Sequence, residues 1–178
     1  MSRFATAILA LLLGIASASA QAIIGAPKPQ IEISGWSYKL LGQDVHGYSC
    51  QTQCVAGSSV SYRFYGADFD TKMTLDQFRE QQRQAVKMLQ EQRRVPPGAK
   101  IEIVSITEEK IGDGRMLKSQ RLTTLEDGRT GHAISSFVFG PWPPFSLISS
   151  GPDEAATKAN FAQFLAPVVV VARMGANR

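Results

Sequence analysis

The chain predicts an α+β domain: a largely antiparallel sheet with two main helices packed on it. Three observations point there. Apolar residues recur at helical spacing over 73–94 and again over 152–166. The segments between alternate at period two and are rich in β-branched and aromatic residues. Short turns containing Gly112, Gly114 and Gly128 join neighbouring strands, as in an antiparallel meander.

Residues 1–20, MSRFATAILALLLGIASASA, have a basic start at Arg3, an apolar run from Phe4 to Ile15 and a small-residue end at Ala18-Ser19-Ala20. That is the layout of a secretory signal peptide, and the run is too short for a permanent span. Cleavage near Ala20 leaves 158 residues, enough for one domain with its own core. Residues 21–30 are small and contain prolines, a flexible leader, and 31–178 form the domain. No cysteine stands at the cleavage site for lipid attachment, and no second apolar run of spanning length is visible. The expected product is periplasmic or secreted, with no transmembrane segment in the mature chain. Without Arg3 the net charge falls from +4 to +3. So mild a balance does not call for nucleic acid or an anionic membrane as a partner.

IEISGWSYKLL (31–41) alternates through Ile31, Ile33, Trp36 and Tyr38 and reads as a strand with an irregularity at Gly35. SSVSYRFYG (58–66) reads as a second strand. The helix over 73–94 buries Leu75, Phe78, Ala85, Val86 and Leu89, with Gln82 filling the gap in that stripe. Thr74 with Gln77 three residues on makes a capping box, and Pro96-Pro97-Gly98 stops the helix. Its opposite face carries Arg79, Arg83, Lys87, Arg93 and Arg94 among Asp76, Glu80 and Glu91, the pattern of a solvated face.

Strands follow at 100–111 and 115–126, joined by Gly112-Asp113-Gly114. Asp127-Gly128 predicts a two-residue type I′ hairpin, which sets Glu126 opposite Arg129, Leu122 opposite Ala133 and His132 opposite Thr123. After the strand 131–139, GPWPP (140–144) reads as a stiff connection to the strand 145–150. A helix over 152–166 has Asp153 and Glu154 in its first turn. PVVVVARM (167–174) reads as a closing strand.

The order from TLDQF through GRMLKSQRLTTLEDGRTGHAISSFVF and FSLISS to PDEAATKANFAQFLA, residues 74–166, resembles the PsbP-like fold. That group includes the bacterial DcrB proteins and a Ran-binding nuclear-transport factor. The resemblance implies an α-β-α sandwich used for binding and assembly in lumenal, periplasmic or envelope accessory proteins, with PVVVVARM as the short terminal strand. The chain lacks the lipid-attachment cysteine of the DcrB kind, and no functional residue of the family carries over.

Both cysteines lie in HGYSCQTQC (46–54). Extended, Cys50 and Cys54 would stand about 13 Å apart, so a disulfide requires the chain to reverse at 51–53. An exported chain with two cysteines favours that pairing. A thiol redox pair is a second reading, although the spacing exceeds C-x-x-C and the flanks carry no positive charge. A third adds His46, and His132 or a Met, to make an H-x₃-C-x₃-C site for Cu(I) or zinc.

No nucleophile elbow, P-loop or dinucleotide fingerprint occurs, and His132 has no acidic partner placed beside it by sequence. In FGPWPPF (139–145), Phe139, Trp142 and Phe145 are the candidate binding loop, with Trp142 either a rigid exposed anchor or folded back on the core edge. The expected function is a non-enzymatic envelope accessory or binding module for a protein or small ligand, without nucleic acid and without a cofactor. The alternative is a copper-, zinc- or thiol-handling protein.

Overall fold

Strands β1 (Trp36–Leu40), β2 (Val45–Cys50) and β3 (Ser59–Phe64) form a meander. Helix α1 (Leu75–Glu91) then carries the chain to the far edge of the sheet. There β4 (Lys100–Ile111), β5 (Gly114–Thr124), β6 (Thr130–Gly140) and β7 (Trp142–Gly151) run back until β7 pairs with β3. Helix α2 (Glu154–Gly175) follows. The result is one seven-stranded antiparallel sheet, ordered β1-β2-β3-β7-β6-β5-β4. The computed structural model describes residues 31–92 and 95–175. The signal peptide 1–20 and leader 21–30 expected from sequence, and Arg93 and Arg94 of the basic row, lie outside the described residues.

Successive strand residues point to opposite faces, and both faces here carry a core. On one side Met116, Val138, Phe145 and Leu147, with Tyr48, Val60 and Tyr62 of the first meander, pack against Phe161, Phe164 and Val168 of α2. On the other, Leu117 and Phe139 pack against Phe78 of α1, with Ile106 and Phe137 around them. The α+β expectation therefore holds, with one helix on each face of the sheet.

Helix α1 begins as its sequence requires. Thr74 Oγ1 accepts from the Gln77 amide at 3.2 Å, and the Thr74 amide donates to Gln77 Oε1 at 2.7 Å. Gln82, the polar residue in the apolar stripe, is buried and accepts from Ser119 Oγ at 2.9 Å. Burial of an amide is tolerable because that bond replaces one to water.

Three expectations need correction. The β5–β6 connection is not a type I′ turn. Thr124 pairs with Thr130, and the Leu125 amide donates to the Arg129 carbonyl at 2.8 Å around Glu126, Asp127 and Gly128. Only Gly128 has positive φ (81°), so the loop has three residues, the last left-handed. The register accordingly shifts by one: Leu122 meets His132 and Arg121 meets Ala133.

The second correction concerns 167–174, which continues α2 instead of forming a strand. Phe161, Phe164, Val168 and Ala172 lie on one helical stripe and are all buried, and this packing outweighs Pro167 and the strand preference of four valines. The 22-residue helix is also long and apolar enough, by length and composition, to cross a membrane, a stretch that the sequence reading split into two elements. Here it packs on the sheet.

Third, GPWPP is not a separate connection, because β6 reaches Gly140 and β7 starts at Trp142. The ladder is irregular between Val138 and Gly140, and at such a bulge a strand start can hold Pro143 and Pro144, which lack an amide hydrogen.

Candidate functional site

After β2 the chain reverses: the Gln51 and Thr52 amides donate to the Gly35 carbonyl at 2.8 and 3.1 Å, and the Cys50 amide to that of Ser58 at 3.0 Å. This reversal brings the Cα atoms of Cys50 and Cys54 to 5.8 Å, and the two are joined by a disulfide. Gly35 has φ of 82°, and a Cβ there would lie 2.0 Å from the Thr52 carbonyl oxygen, so glycine is required at this contact. A five-residue ring is short, and its staple should contribute about 2 kcal/mol. The variant Cys54→Ser should therefore unfold at a lower urea concentration by that amount while keeping its circular dichroism spectrum.

His46 does not join the cysteines. It lies near the start of β2, the strand that ends at Cys50, its ring stacked on Tyr62 with centroids 4.6 Å apart and planes within 8°. Its Nδ1 is 3.1 Å from the Tyr38 hydroxyl. Among the described residues no group of three His, Cys, Asp or Glu is placed to hold a metal. In this structure both sulfurs are in the disulfide and His46 is in an aromatic stack, so the H-x₃-C-x₃-C ligand set is not assembled.

Burial lowers the pKa of His46 below its ordinary value, against a weaker opposing effect of Asp44. Its folded pKa is below the unfolded one, so the unfolded chain binds more protons between the two values. The stabilising contribution is full above the unfolded pKa of about 6.5 and is lost as pH falls through that value towards the folded pKa. Thermal melts should show the midpoint falling from pH 7.5 to pH 5, and His46→Phe should flatten that part of the profile.

The candidate binding loop is buried. Trp142 is 5 % exposed, Phe139 4 % and Phe145 0 %. The three do not converge either: Phe139 belongs to the α1 core, whereas Trp142 and Phe145 belong to the α2 core. The indole of Trp142 covers Gly114 and Gly140, where any Cβ would lie about 3.0 and 2.3 Å from the ring, and Arg173 of α2 lies over it at 4.7 Å. Of the two sequence readings for Trp142, the fold back onto the core is the one realised.

His132 lines a cavity of about 130 Å³ between β5–β6 and the start of α2, with Gln120, Leu122, Glu154 and Lys158. Sequence reasoning left His132 without an acidic partner because Glu154 is 22 positions away, and only the packing of α2 brings it near. Lys158 already holds that carboxylate in an ion pair of 2.6 Å.

A feature that the sequence reading missed is the uncovered half of the α1 face. Helix α1 lies mainly over β4 and β5, with Phe78 reaching Phe137 and Phe139 of β6. Across β1, β2, β3 and β7 the same face presents a cross-strand row Ser37, Ser49, Ser59, Ser150. The neighbouring row runs Lys39, Gly47, Ser61, Ile148. The hydroxyls hold one another in place: Ser59 Oγ is 2.8 Å from Ser150 Oγ, and the Tyr65 hydroxyl donates to Ser146 Oγ at 3.1 Å. The alternation of serines in SSVSYRF and FSLISS was the available signal, but their joint position depends on β3 pairing with β7, which are far apart in sequence.

No protein-family model matches the chain, and no curated protein matches it.

Proposed function

We propose that the protein is an exported, non-enzymatic accessory module of the cell envelope that binds its partner or ligand through the open, serine-lined half of its sheet. One observation carries this reading: α1 covers one half of that face and leaves the other open, with a row of four serines beside the row of Lys39, Gly47, Ser61 and Ile148. Here its hydroxyls bond to each other and not to a general base, which supports binding over catalysis. Export is supported by the composition of residues 1–20 and by a disulfide, a bond that oxidising compartments favour. The helix-sheet-helix layering agrees with a PsbP-like relationship, although residues 167–174, the expected short strand of that fold, are helical.

Photo-crosslinkers installed at Ser37 and Ser61 and activated in intact cells test the surface, with exposed Ala159 on α2 as the control. Discrete adducts from the two serine positions and none from Ala159 are expected. Adducts from Ala159 alone would move the binding surface to α2 and overturn the assignment.

A further inference from the structure

The inner end of the serine floor holds a cation with nothing to balance it. Arg121 of β5 is 7 % exposed and lies on the α1 face between Ile103 and Ala133, neither of them charged. Its Nη2 donates to Ser135 Oγ at 3.1 Å. Its Nε is buried and has no hydrogen-bond partner, and no carboxylate among the described residues pairs with it. Burial shifts the guanidinium pKa downward without an opposing charge to restore it. A buried charge is normally paired, and a buried orphan donor points to a missing acceptor.

The register shows how an acceptor would arrive. From Arg121 the cross-strand row continues through Ala133, Ser150, Ser59, Ser49 and Ser37, all of them small. These small side chains leave the approach from the β7 side low, while α1 stands over β4 and β5 behind it. In the adjacent row Ser135 sets its hydroxyl beside the guanidinium, while the Ser119 hydroxyl is committed to Gln82 Oε1. A planar fork with an unpaired Nε–H beside a hydroxyl suits an oxyanion.

We propose that Arg121, with Ser135, is the anion-recognising end of this face and takes the carboxylate or phosphate group of a small acidic ligand. The proposal rests on the binding-face reading above and specifies its ligand chemistry. The Nε–Hε resonance of Arg121 in the disulfide-bonded protein reports on the orphan donor directly, and its disappearance in Arg121→Lys assigns it. Sodium citrate and sodium phosphate, titrated separately at constant ionic strength against sodium chloride, distinguish the two anion classes. At least one should move the resonance saturably, together with the amides of Ala133 and Ser135, and Arg121→Gln should weaken that binding tenfold or more.

A resonance that stays still, or moves equally with chloride, would overturn the proposal, as would unchanged binding by Arg121→Gln. Should Arg121→Gln fail to fold, the wild-type titration still decides. A still resonance alongside crosslinks from Ser37 and Ser61 removes the anion site and leaves the binding face standing. A still resonance without those crosslinks removes both.

Discussion

Replacing Trp142 by alanine should lower the unfolding free energy by about 3–5 kcal/mol, the usual cost of deleting a large buried aromatic side chain. The indole is 5 % exposed and fills the space over Gly114 and Gly140, which cannot carry a Cβ without colliding with it. Removing it leaves a cavity where the β6–β7 turn, the β4–β5 turn and the end of α2 meet. Arg173, which lies over the ring and bonds to Asp113 at 2.9 Å, loses its platform as well. Urea denaturation should show a large fall in midpoint. An exposed anchor would behave oppositely, with stability kept and only affinity lost.

A second large effect is expected at α2. Val168→Asp buries a carboxylate in the α2 core, where Val168 is fully buried, and should cost about 4 kcal/mol or more, enough to unfold many domains of this size. Val170→Asp should change stability by less than about 0.5 kcal/mol, because Val170 is half exposed. The pair also tests the secondary structure. Residues 168 and 170 share a face in a strand but lie on nearly opposite sides of a helix. Equal damage from both substitutions would restore the strand reading of PVVVVARM.

Much of this fold was legible because local signals and the tertiary structure agree. The capping box at Thr74, the prolines after α1 and the glycine turn at 112–114 each set an element where the structure has it. The failures occur where a local preference competes with packing. Four consecutive valines favour a strand, yet Val168 and Ala172 extend the buried stripe of Phe161 and Phe164, and that burial decides. Asp127-Gly128 fits a two-residue turn, but the three-residue loop differs by a single pairing step that only the sheet register fixes.

The candidate site was less legible, and for a similar reason. A short-range pair such as Cys50 and Cys54 can be read from its spacing. The serine floor and Arg121 depend on pairings between β3 and β7 and between β5 and β6, and on which half of the face α1 covers. A solitary arginine in RLTTLEDGR looks like any surface charge until the register sets it inside.

On the function proposed above, the chain is exported and, stapled at one corner, works through a surface and not through a reactive thiol or a metal. Intact mass spectrometry of the protein recovered from its native compartment, under native and then denaturing conditions, tests it most directly. The predicted result is a chain beginning at Gln21, lighter than its reduced form by the two hydrogens of the Cys50–Cys54 bond, with no retained metal. A chain still carrying residues 1–20, or one with free thiols holding copper or zinc, would contradict it.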